Sequence, residues 1–257
     1  MDLSRNLLDH PILVLLLSFV GCWASVRFGT FIREWRHSLT GDGDHQDFDL
    51  LLGSTLTLLG LIIGFTFSMA LGRYDQRKNC EEGEANAIGT EYVRADLLPD
   101  ADAARVHTLL VSYLRQRVGY YTSRDENQPR QMNDPTFLLQ GEMWSALKGP
   151  AAAYPSPVTA LVLSGMNDVL NSQGYTQAAW WNRIPGPAWT LLIAIALFCN
   201  FLFGYGARRS SPFRFLILPV ALSICLCLIA DIDSPRGGVI RVNPQNLESL
   251  LSSLRSE

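Results

Sequence analysis

The chain has 257 residues, a formal net charge of −3 at pH 7 and 48% hydrophobic residues, which are gathered in blocks rather than spread evenly. With no basic or acidic tail, that balance excludes nucleic acid as a partner and excludes a charged disordered arm. Cys22, Cys199, Cys225 and Cys227 sit in apolar blocks and Cys80 stands alone in polar sequence, so no disulfide framework is expected and a reducing compartment fits.

Residues 1–10 form a polar lead-in to an uncharged, mostly apolar run from Pro11 to Val26, which Arg27 interrupts and FGTFI continues. A first membrane helix is predicted over residues 11–32, with Arg27 snorkelling or paired. A cleaved leader competes for PILVLLLSFVGCWA, but the lead-in carries two aspartates against one arginine and the apolar run is long. The loop that follows holds Asp42, Asp44, Asp47 and Asp49 with His45. It lacks the terminal glutamate and glycine placement of an EF-hand, so a solvated turn is expected, although a ring of subunits would turn these aspartates into a cation-concentrating vestibule.

Leu50 to Gly72 carries no charge and is long enough to cross ~30 Å of hydrocarbon as a helix. Gly60, Gly64, Ser68 and Gly72 recur every four residues, a small-residue face expected to pack against protein. Thr57, Leu61 and Phe65 form a parallel row at the same spacing, free to line something else. Beyond the span come Arg73, Asp75, Arg77 and Lys78, then Glu81, Glu82 and Glu84, with no proline to stop the helix before Pro99. The helix is predicted to run on, supported by i,i+4 pairs Arg77–Glu81 and Lys78–Glu82 and weakened by Gly83 and Gly89. Its carboxylates are expected to stay ionised and hydrated.

Residues 73–185 read as a helical extramembrane domain, with Val106, Leu109, Leu110 and Tyr113 at helical spacing and helix starts at Asp134-Pro135 and Ser156-Pro157. Two further spans, at residues 188–207 and 215–230, are joined by RRSSPFR into a hairpin within residues 186–232. Trp180, Trp181 and Trp189 are expected at a membrane interface, Asn200 in a helix-to-helix hydrogen bond, and Pro219 at a kink. The tail, residues 233–257, follows the motif ADIDSPRGGVIRV and is predicted to contain a short amphipathic helix capped by Asn243, with Leu247, Leu250, Leu251 and Leu254 along one edge. The fold class is therefore an all-α integral membrane protein with four transmembrane helices, residues 1–72 supplying the first pair, plus a helical extramembrane bundle. His10, His37, His45 and His107 are scattered, and no HExxH, P-loop, nucleophile elbow or dinucleotide fingerprint is present. No catalytic residue, metal or cofactor is expected, and enzyme readings have no anchor.

Gly64-Phe65 followed by Arg73-Tyr74 resembles the second transmembrane helix of bestrophins. RYDQR, then EANAIGT and the distant DIDSPRGG, are similar to the bacterial bestrophin-like family over most of the chain. The resemblance implies a homo-oligomer, a pentamer in bestrophins, whose second helices surround an axis and pass inorganic ions through a hydrophobic neck at Phe65, with Leu61 and Thr57 on the preceding turns. Arg73, Arg77, Glu81 and Glu84 would then form the pore mouth, membrane lipid would surround the assembly, and no counterpart of the bestrophin calcium clasp is present. Charge around the spans does not choose an orientation; Cys80 and the resemblance favour a cytoplasmic bundle and cytoplasmic termini in a bacterial inner membrane. The alternative is a non-conducting membrane assembly or sensor, in which the small-residue stripe only packs helices and the bundle binds a partner. A transporter would need paired broken helices, and the sequence has none.

Overall fold

The computed structural model describes residues 9–37, 45–123, 128–206 and 213–255. Among the described residues there are eight helices and no strand: α1 (Pro11–His37), α2 (His45–Ala95), α3 (Asp100–Thr122), α4 (Gln128–Ala153), α5 (Pro157–Trp181), α6 (Gly186–Gly206), α7 (Arg214–Asp233) and α8 (Gln245–Ser253). Four stretches are long and apolar enough to cross a membrane, so the all-α membrane fold read from the sequence is the fold observed. The chain divides into two compact units, Met1–Gly72 with Arg183–Ile240, and Arg73–Asn182 with Arg241–Glu257.

In the first unit α1 packs against α6 and α7. Gly29 and Gly204 let the α1 and α6 backbones touch: a Cβ on Gly29 would lie 2.2 Å from the Phe201 carbonyl oxygen, and one on Gly204 would lie 2.1 Å from that of Val26. In lipid, where apolar burial gives helices no preference for each other, such close approach is a main source of association. Ser25 Oγ donates across the same contact to the Leu197 carbonyl at 2.7 Å. Asn200, expected to bridge helices, instead donates to the Ala196 carbonyl of its own helix. Trp189, expected at an interface, is buried.

The DIDSPRGG motif builds a polar junction at the end of α7. Asp231 accepts the Val239 and Ile240 amides at 2.7 and 2.8 Å, and Asp233 accepts the Ile184 amide at 3.1 Å. Asp9 accepts from Arg183 at 2.6 Å and from Ser234 Oγ at 3.0 Å. A Cβ on Gly237 would lie 1.9 Å from the Asp9 carbonyl oxygen, which accounts for a glycine there. These buried carboxylates tie three separate chain segments together, and each acid is supplied with donors by the fold itself.

The second unit is a helical bundle around Leu110, Tyr113, Leu114, Met143, Leu147, Val162, Met166 and Val169. Ser156 starts α5 as expected, its hydroxyl accepting the Thr159 amide. The start expected at Asp134-Pro135 is corrected: α4 begins at Gln128 and carries Pro135 inside it, while its later turns are fixed by burial of Met143, Ala146 and Leu147. Trp180 belongs to this core, stacked at an angle on Tyr120, and only Trp181 of the three tryptophans is exposed. The tail helix α8 docks on the bundle, with Leu247 buried and Leu250 lying over Gly89, whose absent side chain makes the room.

Candidate pore-lining helix

Helix α2 is 51 residues long and runs unbroken through Gly83 and Gly89. One stripe along it is buried: Leu59, Thr66 and Ala70 in the membrane half, then Arg77, Glu81, Glu84, Ile88, Glu91 and Ala95. At 3.6 residues per turn the opposite arc, roughly half the circumference, holds the residues singled out by sequence. Phe65 is 65% exposed, Leu61 54% exposed, and Thr57 is exposed beside them.

Gly60, Gly64, Ser68 and Gly72 are exposed on the same side, and a Cβ added at any of the three glycines would meet nothing within 4 Å. The expectation that this stripe packs against protein is not met within the chain; close helix contacts at glycine in the membrane unit include Gly29 with Gly204, and Gly206 against Phe48. The small stripe and the apolar row thus form one broad open face. Thr57 Oγ1 donates to the Gly53 carbonyl at 2.9 Å, and Ser54 and Thr55 bond back in the same way, so these hydroxyls are satisfied by their own helix. The open face is consequently less polar than its residue names suggest.

The charged residues after the span lie differently from expectation. Arg73 donates to Asn182 Oδ1 at 2.7 Å, but Arg77, Glu81 and Glu84 are buried in the bundle, on the stripe opposite Phe65. Glu84 takes a two-point ion pair from Arg117 and accepts Thr176 Oγ1 at 3.1 Å and the Tyr121 hydroxyl at 3.4 Å. Although burial opposes its charge, Arg117 is held above its ordinary range by the Glu84 carboxylate, and it lies over the Tyr120 ring at 4.4 Å. Burial, and after it the Glu84 charge, pushes the Tyr113 and Tyr121 hydroxyls up, so both stay neutral, Tyr121 donating to Glu84 and Tyr113 accepting from Gln140 Nε2.

Glu81 accepts the amides of Asn246 and Leu247, each at 3.0 Å, and the Asn246 side chain at 2.7 Å. It therefore caps α8, where the sequence pointed to Asn243. Glu81 and Glu84, expected to be hydrated, are thus engaged inside the bundle, and Arg77 is buried as well. Sequence reasoning missed Arg117, Tyr121 and Thr176, whose spacing on α3 and α5 carries no local signal of a shared partner on α2.

Asp42 and Asp44 lie outside the described residues, Asp47 falls in the first turn of α2, and Asp49 is exposed there. His107 donates to the Tyr92 carbonyl at 2.9 Å and approaches Asp96 at 3.3 Å. Among the described residues no group of three or more His, Cys, Asp or Glu side chains is arranged to hold a metal ion.

A family model described as Bestrophin-like domain matches residues 22–247. No curated protein matches the sequence. Among solved structures, a point variant of a bacterial bestrophin homologue from Klebsiella pneumoniae superposes with a TM-score of 0.68 at 14% identity, covering 95% of this chain and 99% of that one. A second structure of a Klebsiella pneumoniae bestrophin homologue, phased on zinc, gives a TM-score of 0.65 at 15% identity over 95% of each chain. A third, titled only as a membrane protein, gives 0.67 at 13% identity over 95% of this chain and 97% of its own. At these identities the likeness is one of fold.

Proposed function

Because the chain belongs to the bestrophin-like family, we propose that it is a passive ion channel, a homo-oligomer whose pore is lined by the open face of α2. The observation that carries this reading is that half of the second span is left uncovered by its own chain. Copies related by rotation about a common axis, five as in bestrophins, would turn that face inward. Thr57, Leu61 and Phe65 would then form stacked rings, with the Phe65 ring as the hydrophobic neck. A narrow apolar constriction gates by dewetting, since confined water there gives up hydrogen bonds and gains none. The glycines and Ser68 beside the row would let neighbouring copies of α2 approach closely.

The open face continues past the span as Asp75, Asn79 and Glu82, all exposed, and these replace Arg77, Glu81 and Glu84 as the residues proposed to meet ions leaving the neck. Multiplied around a ring, Asp75 favours cations, as would Asp49 at the opposite end, while Glu82 is offset by Lys78 one turn before it. We place the protein in the bacterial inner membrane, with termini and helical bundle cytoplasmic; the free thiol Cys80 in the bundle fits a reducing compartment.

The test is purified protein in planar bilayers. Currents that change when Phe65→Ala is introduced, with a reversal potential set by the cation gradient and shifted by Asp75→Asn, support the reading. A silent, monomeric particle supports the alternative of a non-conducting membrane assembly or sensor.

A further inference from the structure

Two buried glutamates on the same face of α2 are treated in opposite ways. Glu84 is saturated with donors from Arg117, Thr176 and Tyr121. Glu91, two turns further on, is 0% exposed, and neither of its carboxylate oxygens has a hydrogen-bond partner. An interior accepts an ionised carboxylate only when it is paired or hydrogen-bonded, so this environment selects the neutral acid.

Glu91 lies where α5 passes over α2. A Cβ on Gly165 of α5 would lie 2.0 Å from Glu91 Oε2 and 2.5 Å from a terminal nitrogen of Arg94, so the glycine leaves a space that both side chains occupy. The charged groups acting on Glu91 are Arg94 from its own helix and Asp168 from α5, with opposed effects. From α3, His107 reaches the residue next to Glu91 on α2, bonding the Tyr92 carbonyl and approaching Asp96.

We propose that Glu91 is a proton-binding site: it holds a proton while α5 is seated on α2 at Gly165, and release of that proton to solvent loosens the contact as the carboxylate seeks Arg94 and water. Burial first, opposed by Arg94 and reinforced by Asp168, pushes this carboxyl up to about 8. The group is then neutral through neutrality and ionises under mildly alkaline conditions.

The sign follows from linkage. The folded chain binds this proton more tightly than the unfolded chain, so the stabilisation is fully present below the ordinary carboxyl range and is lost as pH rises through about 8. The experiment compares the wild type with Glu91→Gln, which mimics the neutral acid, by infrared spectroscopy and thermal unfolding in detergent. The wild type is expected to show a protonated-carboxyl band that disappears near pH 8 and is missing in the variant. The melting temperature of Glu91→Gln, relative to wild type, is expected to rise by several degrees between pH 5.5 and pH 8.5. Asp168→Asn lowers the midpoint of the band and Arg94→Gln raises it, which keeps the proposal open to refutation if Glu91→Gln folds poorly. A band unaltered in Glu91→Gln, parallel melting curves, or a midpoint unmoved by both neighbouring variants would overturn it. None of these readouts needs a current, so the result is independent of the conduction reading.

Discussion

The two halves of α2 obey different rules although the backbone is continuous. In the membrane half the side that matters is the one left open, where Phe65 and Leu61 are largely exposed and a Cβ on Gly60 or Gly64 would meet open space, and lipid or another copy is an acceptable neighbour for it. In the extramembrane half the side that matters is the covered one, where Glu81 and Glu84 are drawn out of water and are satisfied by other helices, while Glu91, without such donors, is held as the neutral acid. An apolar face exposed in hydrocarbon costs little, whereas a charge buried in a bundle is tolerated only with its partners. The same kind of residue pattern, regular spacing along one helix, therefore leaves an open face in one half and builds internal structure in the other.

The most severe way to break this contrast is to unpair the covered side. Arg117→Met leaves the Glu84 carboxylate buried with only hydroxyl donors, and a loss of about 3–5 kcal/mol is expected in thermal or denaturant unfolding. The double variant with Glu84→Gln should recover much of that loss, because the unpaired charge is gone. A smaller effect separates close-packed glycine from open glycine: Gly204→Val forces a side chain into the Val26 carbonyl and is expected to cost about 1–3 kcal/mol. Gly60→Val has open space around it and should leave protomer stability within about 0.5 kcal/mol, its effect appearing only in assembly or current. Glu81→Ala removes the acceptor that caps α8 and is expected to cost about 1–2 kcal/mol, read most directly as faster amide exchange over Gln245–Ser253. Phe65→Ala, at the small end for stability, should leave the melting temperature unchanged while altering conduction.

Much of the frame was legible because membrane spans announce themselves by length and lack of charge: α1, the first part of α2, α6 and α7 lie where the apolar blocks are. The unbroken extension of α2 was legible too, since charges at helical spacing without a proline offer no place to stop. What the sequence did not yield were facts of three dimensions. Glu81 and Glu84 look like any solvated acids until α3, α5 and α8 are seen to converge on them. Gly29 and Gly204 form a close helix contact of the membrane unit; Gly21, Ser25 and Gly29 do recur every four residues along α1, but Gly204 on α6 is 175 positions from Gly29 and nothing local links the two. Pro135 misled because the helix runs through it, and Asn243 because its local start signal yields to a cap supplied by another helix.

We propose that the open face of α2 is covered by copies of itself around an axis. Oxidative cross-linking of F65C in membranes tests it most directly, with the wild type as control for the native cysteines. If the account is right, F65C gives a covalent species of twice the 28.6 kDa protomer that the wild type does not, because the introduced thiols of adjacent copies face each other across a narrow neck. If position 65 faces lipid or α2 stands alone, F65C stays at the protomer mass like the wild type, and the account is contradicted.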